Sequence, residues 1–328
     1  IGSTFLIQFS QHHAMKVCFL VNLYPAISNS FIRNEILALE GAGIEVMRVS
    51  VRPVSADQLI DPEVGAEQAQ TGVLLAEGPL RLVWHSLLVC CRRPLRWLNA
   101  LRQTLAIGWR SDVGPIRHLA YLVEACVLVN WMERQGVRHL HAHFGSNPAS
   151  VAMLCRTLGG PPYSFSVHGP DEFDRPRAIA LGTKIESAAF VVGISDFTRS
   201  QLCRWCHPAN WDRIRVVHCG LGAAFLDEPI TPPPLAPRLN SESRLSEQKG
   251  HPILLQAAAR LAAEGVRFEL VVVGDGPMRH TLEEMASRLG IADSVRLVGW
   301  ESNERVRERI RDARALVYAP PALREVML

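Results

Sequence analysis

Residues 268–273, FELVVV, form an almost unbroken apolar run that stops at Gly274-Asp275-Gly276-Pro277. A strand that reads this way is buried on both faces. Both faces of a sheet are covered when helices cross over it, so the run asks for a parallel sheet in an α/β fold. The residues in front of it agree. Gly250 precedes an apolar-periodic segment (Ile253, Leu254, Ala257, Ala258, Leu261), which predicts a helix fed by a loop carrying Arg244 and Lys249. Loop, helix, strand and glycine turn make one half of a doubly wound nucleotide-binding unit. Ligands in such sheets sit at the carboxyl ends of the strands, where glycines admit a phosphate and helix N-termini favour its charge. Arg244, through its planar fork, and Lys249, as a point charge, suit a diphosphate, with Gly274, Asp275 and Gly276 as the turn of close approach.

The first half of the chain has the same alternation. Residues 16–22 (KVCFLVN) predict a buried parallel strand, 31–40 a helix with Phe31, Ile32, Ile36, Leu37 and Leu39 on one side, and 45–51 the next strand; Gly41 and Gly43 end the helix. This βαβ opening lacks G-x-G-x-x-G, which argues against a dinucleotide cofactor. Residues 137–145 (VRHLHAHFG) predict a short strand leading to a Ser-Asn-Pro helix start at 146–148, and residues 163–169 (YSFSVHG) repeat the arrangement, ending at His168-Gly169-Pro170-Asp171. Strand C-termini on one rim would gather these polar residues. Further strands are expected at 190–194 and 214–218, the first followed by a helix over 196–206 capped by Ser195. Five prolines within 227–243 read as an interdomain linker. Beyond the glycine turn, a strand at 295–299, a charged helix at 304–311 and a strand at 315–318 complete the expected elements.

Arg244, Lys249 and Gly250 followed by VVVGDGP at 271–277 resemble the donor-site signature of retaining GT-B glycosyltransferases of family 4, in particular the colanic acid and exopolysaccharide branch. The resemblance runs from Met15 to about Val317. It implies two Rossmann-like doubly wound domains facing a cleft: an acceptor-side domain at 15–226, the linker at 227–243 and a partial nucleotide-sugar-binding domain at 244–328. The donor would be a nucleotide-sugar and the acceptor a saccharide, lipid-linked in this branch. The family has no Asp-x-Asp metal site, so no metal or cofactor is expected. His168 and Asp171 match the family's HG-x-D loop, where the histidine lies beside the reacting sugar. His143, before Phe144-Gly145, would line the cleft while His141 packs. The loop after the first strand faces the acceptor in the family, which makes Asn22, Ser28 and Ser30 acceptor-side candidates; all three are also ordinary turn and cap residues. Glu325 corresponds to the first glutamate of the family's E-x7-E pair.

Three features depart from the family pattern. Residues 239–243, LNSES, stand where an apolar first strand of the second domain belongs, and so polar a segment is not expected to form a buried strand. Ala319-Pro320-Pro321 replaces a Pro-Ser turn. The second glutamate of the pair, a ribose ligand in the family, has no position before Leu328, so the second domain is expected to be incomplete and an inactive acceptor-side or membrane-binding module is the alternative reading. An epimerase or dehydrogenase of sugar nucleotides is disfavoured, because none of the four tyrosines has a lysine four residues on.

With 328 residues, 48% hydrophobic and 20% charged, the chain can build two cores, and a formal charge of +3 is too small to argue for nucleic acid. No stretch of about 18 uncharged apolar residues suggests a spanning helix, and residues 1–14 lack the basic start of a secretory signal. Eight scattered cysteines fit reduced thiols in a cytoplasmic protein. Cys203-Arg204-Trp205-Cys206-His207 matches a haem attachment spacing, and with His218 and Cys219 a zinc set; both are read as coincidence. Residues 81–117 carry seven arginines, one acidic residue (Asp112) and Trp84, Trp97 and Trp109. They are either helices with solvated arginines or a surface for anionic lipid on the inner face of the plasma membrane.

Overall fold

The computed structural model describes residues 15–26, 29–55, 62–169, 171–226 and 231–319, with the backbone alone at 62, 63, 171, 223 and 224. Expectations for residues 1–14, for Ser28 and for Glu325 lie outside these residues.

The first sheet has seven strands: β1 (Lys16–Leu23), β2 (Glu45–Arg52), β3 (Thr71–Val73), β4 (His139–His143), β5 (Tyr163–Val167), β6 (Phe190–Gly193) and β7 (Ile214–Val216). Their order is β3-β2-β1-β4-β5-β6-β7, all pairs parallel. The order reverses between β1 and β4, and that switch point is where a doubly wound sheet opens a crevice at its strand C-termini. β1 shows why its run is apolar throughout. Val17, Phe19 and Val21 pack with Ile32 and Ile36 of the Ser30–Gly41 helix, while Cys18 and Leu20 join a larger core with Leu128 and Met153 on the other face.

The second sheet holds β8 (Arg238–Glu242), β9 (Glu269–Val273), β10 (Val295–Gly299) and β11 (Ala315–Leu316) in the order β10-β9-β8-β11, again parallel. β8 corrects two expectations. It lies in the segment expected to be too polar for a buried strand, and it moves the start of the second sheet into the proline-rich stretch, to Arg238. Asn240 and Ser241 are 0% and 2% exposed. Burial of a polar atom without a partner costs about 1–3 kcal/mol, and Asn240 Oδ1 is such an atom, but the strand backbone is satisfied from both sides. Glu269 N donates to Pro237 O, Arg314 N to Arg238 O and Val317 N to Asn240 O, and the Asn240 amide donates to Glu242 at 2.9 Å. Pairing on both edges and side chain to side chain bonding replace the apolar pattern. The core of this domain comes from Leu254, Leu255, Leu270, Val272, Leu282 and Val295.

The arginine-rich stretch forms the helix Gly78–Arg92, the helix Pro94–Gly108 and the start of Gly114–Gln135. Trp84 and Trp109 are 64% and 75% exposed among Leu80, Leu87, Leu95 and Ile116. Trp97 departs from the expectation for all three tryptophans: it packs on the core, its indole N–H donating to Ser86. The helical run Leu74–Arg92 is, by length and composition, apolar enough to cross a membrane, but it carries Glu77 and Arg81 and so is not a stretch of uncharged apolar residues. All eight cysteines are free. The helix over Cys203 ends at that residue, and the His207 ring accepts from the Ala209 N–H as a cap.

Candidate active site

The alternation of β4 puts His139, His141 and His143 on one face, under the Ser30–Gly41 helix. β5 answers in register, with Ser164 beside His141 and Ser166 beside His143. The two nitrogens of His141 lie 2.7 and 2.9 Å from the hydroxyls of Ser164 and Ser166. His143 Nδ1 meets His168 Nε2 at 3.0 Å, and His168 Nδ1 faces Cys219 Sγ at 3.8 Å. Phe31 and Phe144 flank the His168 ring at centroid distances of 4.7 and 5.0 Å. Desolvation pushes His141 down to about 3 and His168 to about 4, and holds His143 well below the ordinary imidazole range. These rings are therefore neutral near pH 7, able to donate or accept but not to supply charge. Glu35, from the helix, keeps 44% of its side chain exposed, and its Oε2 lies 3.8 Å from His143 Nε2. The buried part of that carboxyl pushes it up to about 7.

A second group holds the turn after β4. Phe144 has φ +74°, a conformation that side chains with a Cβ rarely adopt. The Lys184 ammonium, 0% exposed, donates to the carbonyls of Gly145 and Ser146 at 2.8 and 2.7 Å, and the Gly145 N–H donates to Glu172 at 3.1 Å. Burial pushes Lys184 down to about 7, with Glu172 opposing the shift. Neither residue was visible in the sequence as more than a helix-surface charge. At the switch point the Asn147 amide donates to Asn22 Oδ1 at 2.7 Å, so that candidate is joined to the helix Asn147–Thr157. Asp171 begins the short helix Asp171–Asp174.

On the second sheet, Arg244 is exposed and Lys249 half-buried, in the loop between β8 and the helix His251–Ala263. The glycine turn serves that loop. A Cβ on Gly274 would lie 2.2 Å from the Ser243 carbonyl oxygen. Ser243 N donates to Val273 O, Leu245 N to Asp275 O and Met278 N to Leu245 O, at 3.0, 3.0 and 3.1 Å. The glycines let the turn approach the backbone of 243–245, and thereby fix where Arg244 starts. Asp275 is likewise turned to its own surroundings, accepting from the Gly276 N–H at 2.7 Å and pairing with Arg279 at 3.2 Å. Between the domains a pocket is lined by Tyr24, Asn29, Ser30 and Arg33 on one side and Glu301, Ser302 and Asn303 on the other.

Two doubly wound parallel sheets, one carrying a basic loop and the other a polar switch-point rim, make up the GT-B fold. The family described as Glycosyl transferases group 1 matches residues 237–326, and Glycosyltransferase Family 4 matches 76–224. The chain belongs to these family 4-like GT-B glycosyltransferases. It is 26% identical over 309 residues to WcaL of Salmonella typhimurium, given as a colanic acid biosynthesis glycosyltransferase, an alignment taking in 91% of this chain and 74% of that one. It is 39% identical over 83 residues to the glycosyltransferase EpsF of Bacillus subtilis, 25% of this chain and 21% of that protein. Among solved structures, HepE of Anabaena in complex with UDP and glucose superposes with a TM-score of 0.62 at 13% identity, over 94% of this chain and 75% of that one.

Proposed function

We propose that the protein transfers a sugar, with retention of configuration, from a nucleotide-sugar to a lipid-linked saccharide acceptor during synthesis of a cell-surface polysaccharide. The observation that carries this reading is the anchoring of the Arg244 loop by the 274–276 turn at the carboxyl end of the second sheet. An exposed guanidinium and a lysine at the start of a 13-residue helix suit a departing nucleoside diphosphate, whose charge they and the helix dipole would stabilise. The neutral His168 orients a sugar hydroxyl by hydrogen bonding, held in place by His143. Front-face attack then makes the bond from the acceptor oxygen to the anomeric carbon as the bond to the diphosphate oxygen breaks and the acceptor's proton passes to that departing oxygen, with no metal or cofactor in the step.

The acceptor's lipid is favoured by the helical layer over 78–117, whose exposed Leu80, Trp84, Leu95, Trp109 and Ile116 are interleaved with the exposed Arg92, Arg96, Arg102, Arg110 and Arg117. Apolar and aromatic groups enter the interface while arginines meet anionic headgroups, on the inner face of the plasma membrane. Because the HepE structure holds UDP, UDP is the first nucleotide to try. Calorimetry with UDP, GDP and ADP tests the donor site. Base-selective binding lost in an Arg244→Ala, Lys249→Ala double variant supports it, and a folded protein that binds none of the three overturns it.

A further inference from the structure

We propose that Glu35, His141 and His143 form a binding site for a divalent transition-metal ion of the Zn²⁺ kind, outside the diphosphate site and independent of the transferase reading. Their ligand atoms lie within 4.8 Å of one another, the single such group of three among the described residues. A histidine row on a strand often only packs. Here His143 does more: its side chain is fully buried and its Nε2 has no hydrogen-bond partner.

That nitrogen faces Glu35 Oε2 across 3.8 Å, too wide for a hydrogen bond. Two ligands bound at tetrahedral angles to one zinc ion sit about 3.3 Å apart. A contraction of about half an ångström closes the gap, and Glu35, on the exposed end of its helix face, is free to make it. The other nitrogen of His143 supplies what a metal-bound imidazole needs. With Nδ1–H donating to His168 Nε2 at 3.0 Å, the lone pair of His143 is left on Nε2, pointing at the carboxylate. An unshielded lone pair buried beside a carboxylate is an unfavourable arrangement that a cation resolves. His141 joins by giving up one serine hydroxyl, which can rotate away, while its other nitrogen keeps the second serine.

Two imidazoles and one carboxylate select a borderline ion over Mg²⁺ or Ca²⁺, which prefer all-oxygen sets. Three protein ligands leave a fourth position open to water or to a hydroxyl. An ion here ties the Ser30–Gly41 helix to β4 beside His168, and its expected effect on sugar transfer is inhibition.

The test is a titration of chelator-stripped protein with Co²⁺, read by visible absorption, and with Zn²⁺ by calorimetry. Expected are one equivalent bound, displacement of Co²⁺ by Zn²⁺ but not by Mg²⁺, a raised Tm, and affinity weakened about tenfold or more in Glu35→Ala and in His143→Asn. Should His143→Asn fail to fold by circular dichroism, the Glu35→Ala result decides. The proposal is overturned if the folded, stripped protein binds neither ion. It is also overturned if Glu35→Ala binds as tightly as the parent while a Cys203→Ser, Cys206→Ser variant does not.

Discussion

Gly276 and Leu245 meet backbone to backbone: a Cβ on Gly276 would lie 2.5 Å from the Leu245 carbonyl oxygen. Contact this close has no flexible side chain to yield, so Gly276→Ala has to push apart the two segments that position Arg244. The expected cost is about 2 kcal/mol or more, together with loss of nucleotide binding. Urea unfolding followed by tryptophan fluorescence checks the first, and UDP calorimetry the second.

Lys184 fixes the turn that carries Phe144. Lys184→Met leaves the Gly145 and Ser146 carbonyls without their donor, at an expected cost of about 2 kcal/mol. The pH dependence tells this effect from simple repacking. The buried ammonium is pushed down to about 7 from an ordinary value of 10.5. Between those values the unfolded chain holds a proton that the folded chain does not, so this group makes stability rise with pH from about 7 to 10.5. Denaturant midpoints across that window should climb in the parent and climb less in Lys184→Met.

Acid acts through the histidine row. His141 at about 3 and His168 at about 4 resist protonation in the fold, whereas unfolded imidazoles take up protons below 6.5. The unfolded state therefore binds more protons between pH 6.5 and about 4, and stability should fall steadily as pH drops through that range. Urea midpoints at pH 7.0, 5.5 and 4.5 measure the slope. A His141→Gln variant should show a shallower one.

The three tryptophans of the helical layer should separate by experiment. Trp84→Ala and Trp109→Ala leave stability within about 0.5 kcal/mol and reduce flotation with phosphatidylglycerol vesicles. Trp97→Ala, which empties a place against the core, lowers stability by about 2 kcal/mol and leaves flotation of the folded fraction unchanged. Flotation that does not depend on anionic lipid in the parent would remove the membrane surface.

Much of the fold was readable from local pattern, because strands covered on both faces must be apolar throughout. Residues 16–22 and 268–273 read that way and give β1 and β9, while 45–51 and 295–299, each carrying an arginine, still form the expected β2 and β10. β8 escaped because the feature that decides it is not local. Asn240 and Ser241 are tolerated inside by pairing with β9 and β11, which lie tens of residues further along the chain. The site divides in the same manner. His143 and His168 sit on neighbouring strands whose turns announce themselves, and the structure brings them together. Glu35, Glu172 and Lys184 reach the same rim from helices, where a charge normally signals a solvated face. The glycines of the 274–276 turn were recognised as a place of close approach, but not their contact with Ser243 and Leu245, which follow a segment that did not read as a strand.

The helix Asn147–Thr157 is bonded at both ends. Asn147 holds Asn22 at the switch point, and Thr157 donates to Gln103 in the helical layer at 2.8 Å. Ten rises of about 1.5 Å from Asn147 to Thr157 separate those two bonds by about 15 Å. Were the layer seated on a bilayer, this strut would act as a gauge: an acceptor carried by a lipid would need a saccharide long enough to climb it, and shorter chains would stop short of the rim.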